Sequence, residues 1–265
     1  IIRLNLATAV PDKSDRELDA LVKECWRNGG RVLGEYPHLE ALLDESEDRL
    51  EIDIREPIPT YTDPSRPAVV VAAHHVNWEV VCSAMAKLGV PNASLYSPPT
   101  NPYLNRMLQE SREALLCELL PAENATRPLV KAIHNGRTAG VVMDRLVHDG
   151  RDIRFFGRNK PSTVIPARLA LKYDLDLVPA RIERREGARF KVTFFPPVRP
   201  TDPAAEESEQ AVDMTQQLHN YFEEWIREDP AAWLCTKRMW RKAYKRKQVR
   251  QWLASCPAAG AEHVD

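Results

Sequence analysis

Glycine is scarce in this 265-residue chain: there are ten, and none falls in a G-x-G-x-x-G or G-x-x-x-x-G-K-[ST] spacing. Loops that cradle a dinucleotide or a nucleoside triphosphate need those glycines for close backbone approach, which argues against both fold types. No apolar run reaches the roughly 18 residues needed to span a bilayer. Charge of one sign is also lacking: 37 basic side chains face 38 acidic ones, for a net charge of −1. A uniformly basic nucleic-acid binder is thereby disfavoured, and no nucleic-acid partner is expected. The five cysteines (Cys25, Cys82, Cys117, Cys235 and Cys256) are scattered, odd in number and without C-x-x-C or zinc-ribbon spacing. No metal site is expected from them, and they read as reduced thiols of a cytosolic compartment. What is present is an ordinary apolar fraction, 43%. It is enough to bury about three-quarters of the unfolded surface in one large domain or two small ones, and it rules out wholesale disorder.

The near-zero net charge averages two unlike ends. Residues 1–56 are acidic in balance, most of all at Asp44-Glu45-Ser46-Glu47-Asp48, whereas residues 237–250 hold eight basic residues and no acidic one. Proline clusters near 57–66, 98–102 and 196–203 mark loops. Helical periodicity covers 14–30, with Ser14 and Glu17 spaced as a capping box. Residues 50–54 alternate as a strand, and the valine-rich run 67–73 reads as a buried parallel strand. Helices are predicted over 78–88, 102–116, 127–135, 164–173, 205–227 and 230–252, and strands over 138–143, 177–183 and 189–195. This alternation predicts an α/β fold, a three-layer sandwich with a largely parallel central sheet and flanking helices. Ligands in such folds sit at the carboxyl ends of strands, which draws attention to the segments after residues 73 and 143.

The first of these segments is Ala73-His74-His75-Val76-Asn77-Trp78-Glu79. On one continuous helix His74 and Glu79 would point about 140° apart, from the 3.6-residue period. They can pair if His74 lies on the strand-to-helix turn and Glu79 in the first helical turn, with Asn77 as the cap. An imidazole at a strand's carboxyl end with a carboxylate beside it is the chemistry of a general base. No G-x-S-x-G nucleophile elbow is present, so direct attack by a substrate hydroxyl is favoured. A zinc site would need H-E-x-x-H or a third nearby ligand, and neither is visible. Read without further context, the same histidines are equally polar residues of a turn.

His74 and Glu79, read with Asn77-Trp78-Glu79, resemble the H-x-x-x-x-[DE] motif of the glycerolipid acyltransferase superfamily, in the form used by bacterial lipid A biosynthesis (lauroyl and myristoyl) acyltransferases. The resemblance runs co-linearly along nearly the whole chain. Residues 3–27, Tyr96–Asn105 with Arg112, Leu129–Asp144, Phe155-Phe156-Gly157 with Ser162-Thr163, Val178-Pro179-Ala180 and residues 230–241 are each similar to a block of that family. Departures are Ala73 and Val76 where the family uses glycine, His75 where it uses an aromatic residue, and Asp144-Arg145 where it uses Asp-Gln.

The resemblance implies a single acyltransferase domain over 1–265, with 1–56 as an N-terminal helical region and 230–252 as a basic-aromatic C-terminal helix. It implies transfer of a fatty acyl chain from acyl carrier protein to a hydroxyl of a membrane glycolipid of the lipid A type. His74 is expected to take the hydroxyl proton and Glu79 to orient and charge-stabilise His74. Asn77, Arg112, Asp144 and Arg238 are expected to bind substrate: Arg112 at a phosphate of the saccharide or of phosphopantetheine, Asp144 by pairing with Arg112 or holding a substrate hydroxyl, and Arg238 by reaching in from the tail. Phe155 and Phe156 are either rim aromatics of an acyl channel or ordinary core. No cofactor is expected beyond acyl carrier protein or acyl-CoA as co-substrate. The cations and aromatics of 230–252 suit an anionic membrane surface or an acidic carrier protein, and read alone also fit a solvated helix face. The family carries a hydrophobic helix before the segment that matches 3–27, so the chain is expected to lack its anchor and to work at the cytoplasmic face of the bacterial inner membrane. Two alternatives remain open: another amphiphilic acceptor, with either donor, and a non-catalytic module that grips anionic lipid or nucleic acid.

Overall fold

The computed structural model describes residues 1–42, 44, 48–63, 65–112, 117–122 and 126–241. Helices α1 (Ile2–Ala9) and α2 (Asp15–Glu35) lead into a 3₁₀ segment, Tyr36–Leu42. Strand β1 (Leu50–Ile54), the short helix α3 (Pro59–Thr62), β2 (Val69–Ala72), α4 (Val80–Lys87), β3 (Asn92–Tyr96), α5 (Pro102–Arg112), β4 (Cys117–Pro121), α6 (Thr126–His134) and β5 (Thr138–Val142) follow. A hairpin of β6 (Arg151–Phe155) and β7 (Arg158–Ser162) precedes α7 (Ile165–Tyr173), β8 (Leu177–Arg184), β9 (Phe190–Phe194) and α8 (Glu207–Glu228). The capping box forms: Ser14 Oγ accepts from Glu17 N, and Glu17 Oε2 accepts from Ser14 N at 2.9 Å.

Seven strands make one sheet in the order β1-β9-β8-β2-β5-β3-β4. From β8 to β4 all neighbours are parallel; β9 runs antiparallel to β8 and carries β1 parallel to itself at the edge. Because successive strand residues point to opposite faces, β2 feeds two cores. Val70 and Ala72 share one cluster with Val80, Val81, Ala84 and Met85 of α4. Val69 and Val71 share the other with residues of α6, α7 and α8. All four residues of β2 are buried, as a valine-rich strand inside a three-layer sandwich requires. Each such valine contributes about 1.5–3 kcal/mol by leaving water.

The connections place the site. β2 leads through α4 to β3, past β5 on one side, and β5 leads through the hairpin and α7 to β8, past β2 on the other. The carboxyl ends of β2 and β5 are therefore adjacent at a switch in winding direction, where open α/β sheets leave a crevice.

The predicted helix over 230–252 is corrected by the structure. Pro230–Ala232 is a single 3₁₀ turn, and residues 233–241 are not helical. Backbone pairing takes precedence: Val76 N donates to Ala232 O at 2.9 Å and Leu234 N to His74 O at 2.8 Å. Trp233 thus forms an antiparallel bridge with His75. Residues 242–252 lie outside the described residues.

Candidate active site

β2 ends at Ala72, and the chain then turns sharply before α4 starts at Val80. His75 N donates to Ala73 O at 2.7 Å, and Val76 adopts a φ of +54°. That conformation is strained for a β-branched residue and is held by the bond to Ala232. Asn77 does not cap α4 directly; Glu79 is the N-cap residue. Asn77 Oδ1 accepts from Glu79 N at 3.2 Å and its Nδ2 donates to Glu35 Oε2 at 2.9 Å, so both ends of this buried amide hold the turn. Arg184 completes the brace with a two-pronged ion pair to Glu35.

This turn carries His74 to the end of β5. His74 Nδ1 lies 2.5 Å from Asp144 Oδ1, and the backbone N–H of His74 donates to the same oxygen at 3.1 Å. The second oxygen, Oδ2, accepts from Trp233 Nε1 at 2.8 Å. Asp144 is fully buried. Burial pushes its pKa up, but the attraction of His74, the bonds from His74 and Trp233 and the charge of Lys160 outweigh it, and the carboxyl titrates well below its usual range. A carboxylate on Nδ1 fixes the tautomer that leaves Nε2 as the basic nitrogen.

Glu79 is buried and accepts the hydroxyl of Tyr36 at 2.8 Å. Glu79 and His74 line one cavity of about 250 Å³ between the sheet and α4. Trp78 meets the imidazole edge-on, with ring centroids 4.8 Å apart. Arg145 lines the same cavity at the carboxyl ends of the strands. Deeper along the strands the walls are Val70, Ala72, Val81, Leu95, Gly140 and Val141. Ser94 and Cys82 also line it and touch through Oγ and Sγ at 3.2 Å. Gly140 is needed beneath them, because a Cβ there would stand 2.3 Å from Ser94 Oγ.

The structure therefore brings His74, Glu79 and Asp144 to one place, with Asn77 bracing the turn behind them. Asp144, read from sequence as a partner for Arg112 or a substrate hydroxyl, instead faces His74 and Trp233. Arg238 is exposed. Arg112 is the last residue of α5, and its side chain lies outside the described residues. Phe155 is core: it is fully buried among Phe156, His219, Trp233 and Trp240.

Four contributors escape a reading of sequence alone. Sequence places Trp233 only among the tail aromatics suited to a membrane surface or carrier protein, and the one signal for Arg145 is Asp-Arg in place of Asp-Gln. Tyr36 reaches Glu79 from a distant 3₁₀ segment that no short motif announces. Lys160 is a lysine in a strand with no apolar alternation, yet it is fully buried.

The family model described as bacterial lipid A biosynthesis acyltransferase matches residues 1–242. No curated protein matches the chain.

Proposed function

Because the chain belongs to the bacterial lipid A biosynthesis acyltransferases and is an enzyme of acyl transfer in that synthesis, we propose a particular chemistry for its site: His74 is the general base for attack of an acceptor hydroxyl on an acyl thioester. The observation that carries this reading is the imidazole held through Nδ1 by buried Asp144 on the wall of a cavity that also has an apolar side of Val70, Ala72, Val81 and Leu95. As the hydroxyl oxygen bonds to the thioester carbon, His74 Nε2 takes its proton. The tetrahedral oxyanion collapses, the carbon–sulfur bond breaks, and the thiolate leaves with the proton returned by His74. Glu79, fixed by Tyr36, adds negative charge that favours the transient imidazolium. Arg145 stands where a cation can meet the oxyanion or a phosphate of either substrate. The apolar wall between α4 and the sheet receives the acyl chain.

Acyl carrier protein is the proposed donor, with acyl-CoA as the competing one, and a hydroxyl of a lipid A-type glycolipid is the proposed acceptor. The family is membrane-associated, and among the described residues no helix is long and apolar enough to cross a bilayer. Docking at the cytoplasmic face of the inner membrane, with Arg238 and the basic residues around it near anionic headgroups, completes the proposal. The test is transfer from acyl carrier protein and acyl-CoA donors to a panel of hydroxylated lipids, for the wild type, His74→Ala and Glu79→Gln. Loss of transfer in both folded variants is expected. Full activity of His74→Ala would remove the base assignment, and transfer only to another amphiphile would replace the acceptor.

A further inference from the structure

The turn that carries the site is held from two sides. The tail holds its first half, where Val76 N donates to Ala232 O and Leu234 N to His74 O. The end of α2 holds its second half through two consecutive residues. Glu35 Oε2 accepts from Asn77 Nδ2 at 2.9 Å, and the hydroxyl of Tyr36 donates to Glu79 Oε1 at 2.8 Å. Asn77 Oδ1 accepts in turn from Glu79 N at 3.2 Å. These bonds close a ring from Glu35 to Asn77 to Glu79 to Tyr36, and the peptide bond between Glu35 and Tyr36 is its last link. The orientation of the Asn77 amide is set by its partners, because a backbone N–H only donates and a carboxylate only accepts.

Glu35 is a poor choice for helix stability alone. It is the last residue of α2, where a carboxylate faces the negative end of the helix dipole, and the last turn holds no basic residue. Arg184 of β8 offsets that charge with two prongs, Nη1 to Oε1 and Nη2 to Oε2, the second at 3.1 Å. The guanidinium in turn lies 4.8 Å from the centre of the Phe190 ring of β9. The side chains of Arg184 and Glu35 are only 20% and 15% exposed. One carboxylate is thus anchored to the sheet through Arg184 and to the turn through Asn77. A residue that breaks a local rule is expected where function needs it.

We propose that Glu35 is a positioning residue for the acyl transfer: through Asn77 it fixes the backbone of Glu79, whose carboxylate Tyr36 fixes separately, and so keeps Glu79 in the cavity wall it shares with His74. The inference rests on the reading of Glu79 as the charge that supports His74. Residues 73–79 lie between β2 and α4, outside both, so their geometry depends on cross-links of this kind. A misplacement of about 1 Å in such a group costs on the order of 100-fold in rate.

The test is a swap across the bond between Asn77 and Glu35, in the full chain. Asn77→Asp keeps the shape and sets a second carboxylate against Glu35, which repels it. Its kcat is expected to fall on the order of 10- to 100-fold, with KM for donor and acceptor little changed. Glu35→Gln alone leaves an acceptor for Asn77 and is expected to cost only about threefold. In the double variant Asn77→Asp/Glu35→Gln the new amide donates to the new carboxylate, whose other oxygen still accepts from Glu79 N. There kcat is expected to return to within about threefold of Glu35→Gln. Ser14→Ala, remote from the site, serves as the comparison for a loss of stability alone. A folded Asn77→Asp with wild-type kcat overturns the inference. So does a fall confined to KM, or a fall that Glu35→Gln does not relieve. Should Asn77→Asp fail to fold, Glu35→Ala decides, since it removes the acceptor outright: a kcat about tenfold lower supports the inference and a wild-type kcat overturns it. Glu79→Gln separates the two ideas. If it keeps full activity, the reading of Glu79 falls and the inference with it, whereas an inactive Glu79→Gln beside an unharmed Asn77→Asp removes the role of Glu35 alone.

Discussion

Trp233 Nε1 donates to Asp144 Oδ2 at 2.8 Å, so a residue from the last described stretch of the chain finishes the coordination of a carboxylate at the end of β5. With Asp144 Oδ1 taken by the ring and backbone of His74, the indole leaves that anion no idle oxygen. Trp233→Phe keeps most of the packing and deletes one donor. A buried acceptor left unsatisfied costs about 1–3 kcal/mol, more where it is charged. The expected result is a loss of that size in chemical denaturation, together with roughly a tenfold fall in kcat/KM from a less firmly held His74.

Asp144→Asn preserves shape but replaces an acceptor by an amide that can present N–H to Nδ1. The wrong tautomer of His74 then becomes as favourable as the right one. Loss of an equivalent orienting carboxylate in serine proteases costs about 10⁴ in kcat, and here a fall on the order of 10³ or more is expected with KM little changed. Steady-state kinetics at saturating donor would check it. A fall confined to KM would place Asp144 in substrate binding instead.

Acid stability follows from the buried histidines. Burial lowers the pKa of His219 to about 3, and burial lowers that of His75 as well. The unfolded chain binds their protons near pH 6.5 and the folded chain does not. The stability these neutral histidines contribute is therefore full above pH 6.5 and is lost as pH falls below it, for His219 down to about 3. For His219 the slope is about 1.4 kcal/mol per pH unit across that range. Asp144 adds to the loss only below about pH 4, where the unfolded carboxyl begins to take up protons. His219→Gln should flatten the urea-stability profile between pH 6 and 4, and an unchanged slope would contradict the assignment.

Gly140→Ala sets a Cβ 2.3 Å from Ser94 Oγ, closer than real contacts allow. Ser94 must shift towards Cys82 and the cavity. Overpacking of this kind costs about 1–3 kcal/mol, and the narrowed cavity should favour shorter acyl donors. The double variant Gly140→Ala/Ser94→Gly removes the clash and should recover both stability and donor preference. Competition between donors of different length measures the second effect.

The capping box offers a test remote from chemistry. Ser14→Ala removes an acceptor for Glu17 N and is expected to cost about 1 kcal/mol, seen as a lower Tm with unaltered kcat.

Much of the central sheet was legible because β2, β5, β8 and β9 are apolar and bounded by turn residues. Other elements were hidden for physical reasons. α1 buries Ile2, Asn5, Leu6, Ala7, Thr8 and Ala9, so it shows no polar face and no capping side chain to mark its start. β6 and β7 carry Arg, Asp, Lys and Pro, and their turn uses Phe156-Gly157, both at positive φ, where an Asn-Gly pair would have announced a hairpin. At the site, His74 and Glu79 stood out because their spacing follows a buried strand. The partnership of His74 with Asp144 was illegible because it joins two strands through sheet order, which local spacing does not encode. The tail misled for the opposite reason. Its cations and aromatics suit a helix, but Trp233 and Leu234 gain backbone partners beside His74.

The bridge between His75 and Trp233 also orders events during synthesis. All seven strands of the sheet are translated before the stretch that carries Trp233, which follows Asp144 by 89 residues. A nascent chain can thus close its scaffold on the ribosome while the carboxylate behind His74 still lacks its indole partner. Until that stretch has docked, the carboxylate behind His74 is one donor short, so the site takes its final form only after the scaffold that carries it.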